Sequence, residues 1–242
     1  MRRATSIDGG LHCWGSHFVR NPIVSDVPAG KFELVSLGGY YACAVDGEKK
    51  VKRWGGSYHV YPNPEDCFGA SQGRFAGCAI CKNGKADCWL SDNAFSLGYK
   101  VKANAPYHND FIQISVCEIA CGVRRSGSIE CWGDDYEGLL SAPLPSNANY
   151  TRVSVGRHVI CGILTDRRAA CSFVTEDAEP ITEIIAGEYQ DVSAGNLGAC
   201  LLTVDGKIVG WKIDCEIKKD ALGLGRISWI LSLARAFFGD LG

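Results

Sequence analysis

The sequence has no excess of either charge. Its 25 Lys and Arg against 27 Asp and Glu leave a net charge of −2 over 242 residues, with the charges scattered. A nucleic-acid backbone calls for a basic patch and a basic partner for an acidic run, so neither partner class is indicated. A long apolar run is also missing. The stretch Ile227 to Phe238 spans twelve residues and contains Arg235, against the ~20 needed to cross a bilayer, so it is expected to form a C-terminal helix packed on the domain with no membrane contact. The N-terminus, Met1-Arg2-Arg3-Ala4-Thr5-Ser6-Ile7-Asp8 followed by Gly9-Gly10, lacks the apolar core of a signal peptide. The five histidines (His12, His17, His59, His108 and His158) show no ligand spacing such as His-x3-His. No nucleophile, base and orienter can be assembled either. The chain is therefore expected to be no enzyme and to need neither metal nor cofactor. With 46% apolar and 21% charged residues it is globular.

Cysteine, by contrast, is abundant, at 13 residues, which points to disulfides in an oxidising compartment or to a metal protein in a reducing one. Spacing separates the two. The segment Cys121-Gly122-Val123-Arg124-Arg125-Ser126-Gly127-Ser128-Ile129-Glu130-Cys131-Trp132-Gly133 recurs along the chain. Cys78 precedes Cys88-Trp89 by ten, Cys161 precedes Cys171 by ten, Cys43 precedes Arg53-Trp54-Gly55 by ten, Cys200 precedes Gly210-Trp211 by ten, and Cys13-Trp14-Gly15 ends a further unit. The second anchors fall at 13, 53, 88, 131, 171 and 210, in steps of 35 to 43 residues, the period of a β-propeller blade. A Gly lies five residues before the first Cys in four units (Gly38, Gly73, Gly156 and Gly195), often after a Val-Ser pair, and Cys117 takes its place in the fifth.

Each unit reads as strand, Gly turn, strand, tight turn, strand. In Lys82-Asn83-Gly84, Arg125-Ser126-Gly127 and Val204-Asp205-Gly206 the Gly falls on the left-handed position of a three-residue hairpin loop. Asp166-Arg167 puts Arg there, and the early Gly of Asp46-Gly47 predicts a longer loop. A small four-stranded sheet cannot bury both faces alone, so such units stack around an axis. Trp14, Trp54, Trp89, Trp132 and Trp211 follow the second anchor, point away from the Cys face and are expected to pack on the neighbouring blade.

Residues opposite on an antiparallel hairpin lie close enough for a disulfide. Cys78 with Cys88, Cys121 with Cys131 and Cys161 with Cys171 are therefore expected to be bonded, each adding about 2–3 kcal/mol by the chain-entropy argument. A zinc site competes through Cys78-x2-Cys81 and Cys117-x3-Cys121, but no second ligand pair follows at the usual interval. Cys13, Cys43, Cys67, Cys81, Cys117, Cys200 and Cys215 have no assigned partner. Asn149-Tyr150-Thr151 is a glycosylation sequon between blades.

The run Gly156 to Leu164, Glu130-Cys131-Trp132-Gly133-Asp134-Asp135 and their forty-residue recurrence resemble the repeats of the regulator of chromosome condensation superfamily. The paired cysteines and Gly10-Leu11-His12-Cys13-Trp14-Gly15 are most similar to the ectodomains of plant Crinkly-type receptor-like kinases. The resemblance runs from about residue 6 to 213. It implies an all-β propeller of disulfide-stapled hairpins, six blades visible of a seven-bladed ring. Residues 1–15 would end a truncated blade, 16–213 form five blades, and 214–242 lie outside the repeat. It implies an extracellular module, on the plasma membrane or secreted, that recognises a peptide or protein. No Gly-rich phosphate loop, His-Arg-Asp or Asp-Phe-Gly is present, so no kinase residue carries over. Tyr40, Tyr41, Arg157 and His158, after the repeat Gly, are the candidate contacts. Open sheet edges would favour self-association into a homo-oligomer. An intracellular propeller acting as exchange factor or scaffold is the alternative, and a secreted inhibitor similar to the β-lactamase inhibitor proteins a third reading.

Overall fold

A computed structural model describes residues 2–5, 9–14, 26–39, 41–56, 64–91, 96–135, 138–141, 144–174 and 180–213. The expected C-terminal helix, the segment 214–242 and Tyr40 lie outside the described residues. Among the described residues six antiparallel sheets follow one another along the chain. The first joins β1 (Arg2–Thr5) to β2 (Leu11–Trp14), with Arg3 opposite Cys13. Then come β3 (Phe32–Leu37), β4 (Tyr41–Asp46) and β5 (Val51–Gly55); β6 (Cys67–Gln72), β7 (Ala76–Cys81) and β8 (Ala86–Leu90); β9 (Phe111–Val116), β10 (Ala120–Arg124) and β11 (Ile129–Trp132). The fourth full blade holds β12 (Tyr150–Val155), β13 (Val159–Leu164), β14 (Ala169–Val174) and β15 (Pro180–Ile185), and the fifth β16 (Tyr189–Ala194), β17 (Ala199–Thr203) and β18 (Ile208–Trp211).

Four-stranded blades were expected, yet among the described residues only the fourth blade has a fourth strand. After the second blade the chain instead forms helix α1 (Ser96–Ala103), which packs on β7 and β8 and buries Val101 beside Cys78 and Cys88.

Each hairpin turn closes with the N–H of its left-handed residue bonded to a carbonyl three residues back, at 2.7–3.0 Å. That residue is Gly84 (φ 74°), Gly127 (φ 89°) or Gly206 (φ 85°), but Lys49 (φ 64°) and Arg167 (φ 70°) in two blades. The loop after Asp46 is therefore not longer, as the early Gly47 suggested; it has the same length, and Lys49 accepts the strained conformation. Part of the compensation is local, since Asp46 Oδ1 accepts hydrogen bonds from the N–H groups of Glu48 and Lys50 at 3.0 and 2.9 Å.

The left-handed residue also clasps the next blade. The carbonyls of Gly9, Lys49, Gly84, Gly127 and Arg167 accept the N–H of Phe32, Cys67, Phe111, Tyr150 and Tyr189, the first residue of each following sheet, at 2.7–3.1 Å. A second series joins the far ends of the same strands. The hydroxyl oxygens of Ser36, Ser71, Ser115 and Ser154 accept from the backbone N–H of Gln72, Val116, Val155 and Ala194 at 2.9–3.0 Å. The repeat Gly allows this approach. A Cβ on Gly38 would stand 1.8 Å from the Gly73 carbonyl oxygen, on Gly73 2.2 Å from that of Cys117, and on Gly156 1.7 Å from that of Gly195.

The core lies between blades. Trp89 packs with Cys43 and Val45 of the preceding blade, Trp132 with Cys78 and Cys88, and the partly buried Trp211 with Cys161 and Cys171. Each of these three junctions thus brings the Trp face of one sheet onto the Cys face of the one before, because adjacent strand residues point to opposite faces. Trp89 also satisfies its indole N–H by donating to Gln72 Oε1 at 2.9 Å.

Candidate contact surfaces and disulfides

Cys78 and Cys88, Cys121 and Cys131, and Cys161 and Cys171 sit directly opposite in register and are disulfide-bonded, with Cα atoms 4.0, 4.0 and 4.1 Å apart. A fourth disulfide joins Cys67 to Cys81, Cα atoms 3.7 Å apart, across β6 and β7. The metal-like spacing Cys78-x2-Cys81 is thereby resolved into two disulfides, because residues three apart on a strand face opposite sides and meet different neighbours. Among the described residues no cluster of His, Cys, Asp or Glu could hold a metal ion. Cys43, opposite Arg53, and Cys117 are buried, and Cys200 is disulfide-bonded.

Cys67 stands where the other blades put Phe32, Phe111, Tyr150 and Tyr189 at the start of the first strand, and Cys81 where they put Asp46, Arg124, Leu164 and Thr203. The aromatic rings lie over the middle strand, and at Gly122 and Gly162 only a missing side chain leaves room for Phe111 and Tyr150. In the second blade a disulfide fills that place.

The first strands β3, β6, β9, β12 and β16 converge on one cavity of about 380 Å³. At its turn-side end it is lined by the second residue of β6 and of β9, Phe68 and Ile112, which lie in neighbouring blades and are 45% and 40% exposed. The second residues of β3, β12 and β16 are the polar Glu33, Thr151 and Gln190. Deeper in, the Gln113 amide holds the next blade, accepting from Val153 N–H at 2.8 Å and donating to its carbonyl at 2.9 Å. Arg152 and Asp191 follow at the same place in the next two blades. Burial pushes the Asp191 carboxyl up from its ordinary range, its bond from Val192 N–H and the Arg152 charge opposing this.

The opposite end is formed by the loops after the repeat Gly, and it holds two of the contact residues expected from sequence, Arg157 and His158. Tyr41 does not belong to a contact surface: it is 3% exposed, because it opens β4 facing inward and its ring fills the space beside Gly56. Arg157 is exposed and reaches Glu118 Oε1 at 3.7 Å. His158 is half-buried, and its N–H donates to the Asn196 carbonyl at 3.2 Å. Reasoning from sequence missed Arg74, whose guanidinium lies 5.1 Å from the Phe75 ring centroid, and Leu197, an exposed leucine on the same rim. It also missed Phe68 and Ile112, for which the signal was an apolar residue after the strand-opening position where other repeats are polar.

Comparison with solved structures finds the same fold. The entire ectodomain of the Physcomitrella patens receptor kinase CR4 matches with a TM-score of 0.67 at 20% identity, over 84% of this chain and 56% of that one. The CRINKLY ectodomain of the Arabidopsis thaliana receptor kinase ACR4 matches with a TM-score of 0.63 at 23% identity, over 85% of this chain and 74% of that one. Yeast RCC1 (Prp20), solved with bound Kap60, matches with a TM-score of 0.54 at 13% identity, over 75% and 56%. The chain is thus a propeller of the architecture shared by the two receptor-kinase ectodomains and by RCC1-like proteins, and it spans little more than half the length of the CR4 ectodomain. No family model and no curated protein matches it.

Proposed function

We propose that this chain is the ligand-recognition propeller of a receptor-like serine/threonine kinase, working outside the cell, with phosphoryl transfer belonging to a kinase domain that this chain does not contain. The observation that carries the reading is the set of four disulfides stapling adjacent strands in three successive blades, since disulfides persist in oxidising compartments and are rare in the cytosol. The likeness to two receptor-kinase ectodomains supports it.

The ligand is a peptide or a protein segment, and its contact surface is the turn-side end of the cavity. Phe68 and Ile112 expose apolar surface there on strands held rigid by the two interblade hydrogen-bond series, the setting in which an anchor side chain gains most. At the loop end Arg157 is engaged with Glu118 and the His158 backbone with the next blade, which makes that end the weaker candidate.

The test is a selection of displayed peptides on secreted wild-type protein, followed by binding of the enriched peptides to F68S/I112S and to R157A. The expected result is peptides that lose at least tenfold in affinity for F68S/I112S and keep it for R157A. Enriched peptides indifferent to F68S/I112S would overturn the choice of surface, and failure of well-folded protein to enrich any peptide would overturn peptide recognition.

A further inference from the structure

The sequence contains nine asparagines and one Asn-x-Ser/Thr triplet, Asn149-Tyr150-Thr151. The fold places this triplet at a defined point. Asn149 is the residue before β12, the place taken by Asp66, Asp110 and Glu188 in neighbouring blades, and all four side chains are exposed or half-buried. Tyr150 turns inward, 3% exposed, with its hydroxyl donating to the Pro145 carbonyl at 3.1 Å. Asn149 and Thr151 are both exposed, with a register shift between Tyr150 and Arg152 at this point of the strand.

The backbone around Asn149 is held on both neighbouring hairpins. The Asn149 carbonyl accepts from Thr165 N–H at 3.0 Å, and the next residue donates to the Gly127 carbonyl at 2.7 Å. One side of Asn149 is set by Gly127, whose missing side chain leaves room: a Cβ there would stand 2.9 Å from the Asn149 Cβ. The exposed side chain of Asn149 thus runs alongside a glycine.

We propose that Asn149 carries an N-linked glycan, and that this glycan borders the Phe68–Ile112 surface on its fourth-blade side. The inference rests on the extracellular reading given above. The new bond joins Asn149 Nδ2 to C1 of the first sugar. The bond broken is the one between that C1 and the pyrophosphate oxygen of a lipid-linked oligosaccharide, and the amide proton leaves with the lipid pyrophosphate. Thr151 occupies the place of Ile112 one blade further on. A glycan rooted two residues before Thr151 thus stands on the turn side of the fourth full blade, beside the blade of Ile112, and confines a partner's approach to the first three full blades.

The experiment translates the full chain behind a secretory signal peptide in the presence of endoplasmic-reticulum microsomes, and also secretes it from a eukaryotic cell line. The expected result is a single shift in mobility, removed by an endoglycosidase, abolished in N149Q and T151A and retained in T151S, with Asn149 occupied in the secreted protein. No shift while a control glycoprotein is modified in the same reaction, or a shift that persists in N149Q, overturns the proposal. The two readings fail separately. Secreted protein with its disulfides formed but Asn149 bare sinks the glycan and leaves the receptor reading standing, whereas folded protein with every thiol reduced sinks the reading on which the glycan rests.

Discussion

Ser115 Oγ accepts a hydrogen bond from the backbone N–H of Val155, forty residues further on in the next blade, at 3.0 Å. Ser36, Ser71 and Ser154 repeat the arrangement with Gln72, Val116 and Ala194. The serine two residues before the repeat Gly, or before Cys117 where that takes its place, is thus the joint between blades, whether Val, Ala or Ile precedes it. Removing one hydroxyl leaves a backbone N–H without its acceptor in a largely buried place, at a cost of about 1–2 kcal/mol. Ser115→Ala and Ser154→Ala should each lower the urea midpoint accordingly. Ser126→Ala, in an exposed turn, should stay within about 0.5 kcal/mol of wild type.

Glycine substitutions should separate three environments. In Gly122→Ala the new methyl meets the Phe111 ring at 2.5 Å, and the ring's displacement costs about 1–3 kcal/mol. Gly156→Ala should cost more, because its Cβ stands 1.7 Å from the Gly195 backbone oxygen and two sheets must part to admit it. Gly47→Ala meets nothing within 4 Å and should be silent. Thermal denaturation of the three variants under one buffer checks the order.

The Cys67–Cys81 disulfide takes a place that other blades fill with an aromatic ring, so an aromatic residue should replace it. Cys67→Ser/Cys81→Ser loses a closed loop of 14 residues, worth about 3 kcal/mol by the chain-entropy argument. Cys67→Phe/Cys81→Asp, the pair that Phe32 and Asp46 form in the preceding blade, should recover part of that loss, as read by denaturant midpoint. Equal stability of the two double variants would contradict the equivalence.

Asp191 sets a pH dependence of known sign. Burial raises its folded-state pKa, so folding takes up protons as the pH falls. Its contribution is most favourable below the ordinary carboxylate value of about 3.9 and is lost as the pH rises through the raised folded value. Asp191→Asn, which keeps an acceptor for Val192 N–H, should therefore stabilise the protein near neutral pH and lose that advantage below the ordinary carboxylate range. Denaturation midpoints of the two proteins at both pH values test it.

Much of the architecture was legible because a blade repeats its chemistry in short windows: Cys, ten residues, Cys-Trp-Gly. The three ten-residue cysteine pairs lie within single hairpins, where the loop fixes the register. Cys67 with Cys81 was hidden because a register shift between Cys67 and Gly69 breaks the simple count across β6 and β7. The serine joints were visible as a recurring residue but not as a function, since each partner is a backbone N–H in another blade. Tyr41 was misplaced because a tyrosine two residues past a Gly turn looks exposed, whereas the strand has already begun and its alternation turns the ring inward. Gly47 drew the hairpin loop too long, since the left-handed position went to Lys49.

The most direct test of the account is peptide mapping of the unreduced protein by mass spectrometry after passage through a secretory pathway. The expected result is the links Cys67 to Cys81, Cys78 to Cys88, Cys121 to Cys131 and Cys161 to Cys171, together with a bond at Cys200, in protein that unfolds cooperatively. Well-folded protein in which these cysteines are all free thiols would contradict an extracellular receptor module and direct attention to an intracellular propeller.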